Sequence, residues 1–93
     1  MKFICCNVNP FVINQHILLI DNDASIEDVK SESLGTVKGF ENLSTNIAYL
    51  CHKHNVEKVR LTGTAKYNQN IAQEILTATR SRYGMTNIEV EVI

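Results

Sequence analysis

Two stretches of helical periodicity, each bracketed by β-rich segments, constrain this chain more than any other feature. From Lys38 the residues Phe40, Leu43, Ile47, Leu50, Cys51 and His54 fall on one helical face, which stops at Asn55. Glu57–Thr62 follows as a strand carrying Val59 and Leu61 and closed by Gly63. A second stripe of Ile71, Ala72, Ile75, Leu76, Ala78 and Thr79 then ends near Tyr83-Gly84. Asn87–Ile93 alternates Ile88, Val90 and Val92 against Glu89, Glu91 and Ile93, the pattern of a strand with one face in the core. Strand–helix–strand units close by right-handed crossovers and so pair their strands in parallel.

The residues before Lys38 have no room for such crossovers. Lys2–Val8 is apolar and β-rich and ends at Asn7-Val8-Asn9-Pro10, where proline forces Asn9 out of the helical region. His16–Ile20 runs almost unbroken as Ile17-Leu18-Leu19-Ile20 and stops at Asp21-Asn22-Asp23, which reads as a strand buried on both faces. Ile26–Leu34 reads as a polar edge strand; Ser25 and Asp28 offer a competing helix start that nothing sustains before Gly35. Three strands joined by short turns form an antiparallel meander. The expected fold is therefore α/β, in the order βββαβαβ, with a mixed five-stranded sheet ordered 3-2-1-4-5 and helices covering the sheet faces. At 93 residues, 44% hydrophobic and 20% charged, the chain is expected to form a single domain over residues 1–93 around one core.

Charge and cysteine content narrow the partners. The formal net charge of -1 is unlike the basic balance of a protein held by nucleic-acid phosphates. The distribution is uneven, with three lysines against six carboxylates up to Cys51 and six basic residues against four glutamates beyond it. The opening apolar segment is too short for a signal peptide, and no run reaches membrane-spanning length. Three cysteines cannot all pair within one chain, and adjacent Cys5 and Cys6 point to opposite faces of a strand. A cytoplasmic protein with reduced thiols and no membrane association is expected.

In open α/β sheets, ligands gather beyond the carboxyl ends of neighbouring parallel strands, where the direction of the chain's progress across the sheet reverses. The loops after strands 1 and 4 meet there. Asn7, Asn9, Thr62, Gly63 and Thr64 are the candidate ligand- or phosphate-binding residues, with free helix amides following. The same Thr-Gly-Thr also serves a plain tight turn with Thr64 as N-cap.

The sequence Ile4-Cys5-Cys6-Asn7-Val8-Asn9 resembles the first strand and loop of the ribonuclease H-like superfold. His16–Asp23 is similar to its second strand and turn. Val59-Arg60-Leu61-Thr62-Gly63-Thr64-Ala65, continuing to Ile71, resembles the actin-like Leu-Thr-Gly-Gly loop and helix. The superfold includes actin-like sugar kinases, the nucleotide-binding halves of heat-shock chaperones and nucleases of the Holliday-junction-resolvase type. Its nucleases hold two divalent metals on carboxylates from the first strand, first helix and fourth strand. This chain has Asn7 at the first position, Glu41 near the second, and Thr62 or Gly63 at the third. A neutral amide does not replace the missing charge, and the kinases need both that acid and a second lobe.

Other constellations read as structural. Cys51-His52-Lys53-His54 has zinc-like chemistry, yet helical spacing turns His52 and Lys53 away from Cys51 and His54; basic residues at a helix carboxyl end are the simpler account. His16 has no neighbouring nucleophile in sequence. Asp21, Asp23, Glu27 and Asp28 lack the glycine and terminal glutamate of a calcium loop. Lys53, Lys58, Arg60, Lys66, Arg80 and Arg82 have only Tyr49, Tyr67 and Tyr83 as candidates for base stacking. No catalytic residue, metal or cofactor is assigned. The final strand's edge, with Ile88, Val90 and Val92, is expected to pair with a second chain.

The leading expectation is a non-catalytic interaction or oligomerisation module, either a homo-oligomer or an accessory subunit for a protein partner. The alternative is a nucleotide- or nucleic-acid-binding protein using the loops after strands 1 and 4. On sequence grounds, Gly63→Val separates the two, abolishing ligand binding in the second while leaving assembly intact in the first.

Overall fold

The computed structural model describes residues 2–9, 14–23, 26–37, 39–63 and 65–93. Its elements run β1 (Lys2–Val8), β2 (Asn14–Asp23), β3 (Ile26–Thr36), α1 (Phe40–His54), β4 (Lys58–Gly63), α2 (Ala65–Tyr83) and β5 (Glu89–Val92). The sheet order is β3-β2-β1-β4-β5, as the sequence predicts. β1 and β2 are antiparallel, as are β2 and β3, whereas β1–β4 and β4–β5 are parallel. β2 and β3 extend beyond their expected ends. β5 is shorter than the predicted Asn87–Ile93.

Both helices lie against one face of the sheet, so the core has one side. β3 is parallel to β4 and β5, and α1 carries the chain from the β3 edge to β4. α2 then advances in the same direction to β5. Two right-handed crossovers that advance the same way lie on the same face of a sheet. Accordingly Ile4, Cys6 and Val8 of β1, Ile17 and Leu19 of β2, and Val59 and Leu61 of β4 share one buried cluster with Leu43, Ile47, Leu50 and Cys51 of α1 and Ile71, Ala72 and Ile75 of α2. The residues between them on the strands belong to the opposite, helix-free face.

That arrangement also overturns the reading of β2 as buried on both faces. Leu18, between buried Ile17 and Leu19, is 45% exposed. The apolar run that suggests two-sided burial is a one-sided strand with leucine and isoleucine on its open side.

Local signals fix the carboxyl end of α1. Asn55 adopts the left-handed conformation (φ 54°, ψ 50°), and the amide of Val56 returns to the carbonyl of Cys51 at 2.9 Å, so the helix stops where the sequence places its stop. Asn46 Nδ2 donates to the Leu34 carbonyl at 2.6 Å and ties α1 to β3. Ser44 Oγ donates to Glu74 Oε2 at 2.8 Å, and the His52 and Tyr83 rings stack with centroids 4.5 Å apart; both contacts join α1 to α2. No helix among the described residues is long and apolar enough to cross a membrane.

Candidate functional site

Parallel pairing of β1 with β4 brings the predicted loop residues together. Asn7 lies opposite Thr62 and Val8 opposite Gly63. Thr62 Oγ1 donates to the Cys6 carbonyl at 3.5 Å. Asn9 is exposed just beyond β1, and Thr64 lies outside the described residues.

The contacts at this junction tie β1, β2, β4 and α2 to one another. Gly63 has φ +98°, and a Cβ there would lie 2.8 Å from the Val8 carbonyl oxygen and 2.9 Å from Asn7 Oδ1. The space above the glycine is already filled by β1. Gly63 is thus required for close approach of two strand ends, and the use of Gly63→Val as a ligand probe fails because the substitution strikes the fold itself. Asn68, fully buried in the first turns of α2, donates through Nδ2 to the Thr62 carbonyl at 3.2 Å. Gln15, also buried, donates to the Asn7 carbonyl and to Cys6 Sγ.

Chemically the junction is a neutral set of amides and a hydroxyl. Clefts of about 460, 380, 200 and 180 Å³ formed by described residues are lined by none of Asn7, Asn9, Thr62 and Gly63. Asp21 lines the last of these with Lys2, Lys30, Glu32 and His54, away from the β1–β4 junction. The Glu41 side chain lies outside the described residues, as do those of Asp23, Glu27 and Asp28.

Cys51, His52 and His54 diverge. Cys51 is in the core, His52 stacks on Tyr83, and His54 Nε2 lies 3.4 Å from Glu32 Oε1. Among the described residues no three histidines, cysteines or carboxylates converge on a metal-sized site. Burial pushes the Cys6 thiol up to about 12, with a smaller contribution from neighbouring Cys5, and burial alone pushes Cys51 up to about 12. Both are poor nucleophiles in the folded state. Cys5 is only partly buried and sits on the helix-free face.

Two outcomes follow for the thiols. Cys5 is expected to react with a maleimide in the native protein, with Cys6 and Cys51 reacting only after denaturation; modification of all three at equal rates would contradict this. An unfolded thiol ionises near its ordinary value of 9, whereas the two folded ones hold their protons to about 12. The unfolded chain thus binds fewer protons in that window, so their contribution to stability is complete below pH 9 and lost as pH rises towards 12. Urea midpoints across the window should fall less steeply in a Cys6→Ala/Cys51→Ala variant than in the parent.

Sequence pattern alone does not mark the helix-free face as a contact surface. Two rows cross it in register: Val29, Ile20, Phe3, Lys58 and Glu89, then Ser31, Leu18, Cys5, Arg60 and Glu91. Val29 is 47% exposed beside Leu18 at 45%. The cations on this face are engaged internally. Arg60 lies 5.1 Å from the Phe3 ring centroid and 3.4 Å from Glu91 Oε2, and Lys58 lies 3.6 Å from the same oxygen. Lys66, on α2, instead lies over Tyr67.

At the far edge, Ile88, Val90 and Val92 pack partly buried against the core. The Glu89 amide donates to the Glu57 carbonyl just before β4 at 2.7 Å, and the Ile93 amide to the Leu61 carbonyl of β4 at 3.0 Å. A second chain adding here would pair with the outward main chain of β5 rather than with those three side chains.

Comparison with protein-family models and with curated proteins gives no match to this chain.

Proposed function

We propose that this chain is a non-catalytic module of the ribonuclease H-like type that works by contact, through self-association. The observation that carries the reading is the helix-free sheet face. Leu18 and Val29, nearly half exposed, lie beside the partly buried Ile20 and Cys5 on three adjacent strands. Contiguous apolar surface of this kind marks contact sites on otherwise ordinary globular chains. The sheet order supports the fold resemblance, and Asn7 and Thr62 at the strand ends give the junction none of the negative charge that two-metal chemistry uses.

Sedimentation velocity over a concentration series tests the reading. A reversible shift from one chain to two is expected. A species that stays at one chain throughout would overturn it, as would metal-dependent turnover of a phosphodiester.

The alternative, nucleotide or nucleic-acid binding at Asn7, Asn9, Thr62, Gly63 and Thr64, is favoured by the register that places Asn7 beside Thr62. Its probe must spare Gly63. Thr62→Val, at a partly exposed side chain, is the suitable change, and loss of a nucleotide-induced spectral shift in that variant would favour the alternative.

A further inference from the structure

We propose that the outer surface of the helix layer, at the carboxyl ends of α1 and α2, binds single-stranded nucleic acid. This goes beyond the self-association reading. It uses the side of the molecule opposite the helix-free face, at the other end of the strands from the β1–β4 junction.

The net charge of -1 conceals an uneven division between the layers. The two helices carry four basic residues, Lys53, Lys66, Arg80 and Arg82, against Glu41 and Glu74, whereas the five strands carry four basic residues against seven acidic ones. From Ser44 to the end of α1, and from Ile75 to the end of α2, neither helix has a carboxylate. Lys53, Arg80 and Arg82 are exposed and pair with no carboxylate among the described residues. Of the acids that flank these stretches, Glu74 accepts from Ser44 Oγ, and Glu57 lines a cleft with Lys2 and Lys58. The helix dipole favours cations at a carboxyl end, but it gives no reason for the aromatic groups beside them.

Those groups select the polyanion. His52 and Tyr83 stack with centroids 4.5 Å apart and planes 8° from parallel. His52 is exposed, so the ring face turned away from Tyr83 is open to a further ring. Tyr49, 51% exposed, stands one turn before His52 and Lys53 on α1. Unstacked bases add to such rings whatever their sequence, because every base has a π-face. A duplex keeps its bases covered, and an acidic peptide has no ring to add. Between the helices a cleft of about 380 Å³, lined in part by Thr45, Thr77, Ser81 and Arg82, gives sugar and phosphate a polar track that leads to the residue before Tyr83. Lys53 and Arg82 flank the stack as the phosphate contacts; Arg80, two residues from Arg82, points to another side of α2 and adds only to the field.

Binding through a few bases and two phosphates is weak and mildly salt-dependent, with a slope of log K against log salt of about -1.4 for a single strand. Fluorescence anisotropy of a labelled oligouridine tests the proposal, with a duplex of the same length and an oligoglutamate as competitors and circular dichroism to confirm that each variant is folded. Tyr49→Ala and His52→Ala are each expected to weaken binding about tenfold through lost stacking. Lys53→Glu and Arg82→Glu are each expected to weaken it and to flatten the salt slope by about half. Lys66→Glu is the control and should change binding less than about twofold, since its place near the start of α2 lies more than a Debye length from the stack. A parent chain with no saturable binding would overturn the proposal. Equal competition by the duplex or by oligoglutamate would also overturn it, by showing an unselective cationic surface. Folded variants that bind like the parent would overturn the placement at the helix ends. None of these results bears on self-association, which is carried by the opposite face.

Discussion

Gly63→Ala is expected to destabilise the chain by about 2 to 5 kcal/mol, an effect large for a single methyl group. Two terms combine. A non-glycine residue in left-handed backbone costs roughly 1 to 2 kcal/mol, and φ at Gly63 is +98°. The added Cβ would also lie 2.8 Å from the Val8 carbonyl oxygen, a main-chain atom that cannot swing aside. Forcing an extra carbon into packed surroundings costs roughly 1 to 3 kcal/mol more. Gly84 supplies the control: its φ is +63°, but nothing lies within 4 Å of the position an alanine Cβ would take, so Gly84→Ala should cost only the conformational part, about 1 to 2 kcal/mol. Equal losses at the two positions in urea titrations would show that β4 can draw away from β1 at little cost.

Ile4→Ala is expected to cost about 2 to 5 kcal/mol, the range for truncating a buried aliphatic residue in a core that relaxes only in part. Ile4 is fully buried at the centre of the sheet, flanked in register by Leu19 and Val59. Leu18→Ala, on the next strand but the opposite face, should stay within about 0.5 kcal/mol in the dilute monomer, since an exposed side chain leaves no cavity. The contrast between neighbouring apolar residues of similar size tests the one-sided core directly. Comparable destabilisation by both would mean that the sheet is covered on both faces within one chain. For a domain of this size each kcal/mol shifts the thermal midpoint by about 4 to 8 °C, so these differences are readily measured.

Strand order is legible in the sequence because it follows from rules of connection. Short turns force β1, β2 and β3 into a meander, and the helical stripes over α1 and α2 demand parallel partners. Asn55 announces the end of α1 by its tolerance of left-handed backbone. The sidedness of the core is less accessible. Ile17-Leu18-Leu19-Ile20 looks identical whether one or both faces are covered, and only the shared direction of the two crossovers decides between them. That argument is within reach of the sequence, since the order 3-2-1-4-5 already contains it.

The junction between β1 and β4 is legible in place but not in purpose. Asn7, Thr62 and Gly63 meet as the register predicts, yet a Thr-Gly-Thr turn carries no sign of whether its open side faces ligand or protein. Gln15 and Asn68, which fasten β2 and α2 to this junction, lie in polar stretches with no distinguishing spacing. Their burial follows from tertiary approach alone. The internal pairing of Lys58 and Arg60 with Glu91 likewise depends on three residues brought together by parallel pairing across 31 to 33 positions of sequence.

Methyl-resolved nuclear magnetic resonance of the parent chain through a dilution series tests the central claim most directly, because it reports association and its location together. The Leu18, Ile20 and Val29 methyl signals are expected to move with concentration along one common isotherm, while those of Leu43 and Ile47 on the buried side of α1 stay fixed. Movement confined to Ile88, Val90 and Val92 would place the contact at the β5 edge, and spectra that do not change with concentration would contradict self-association itself.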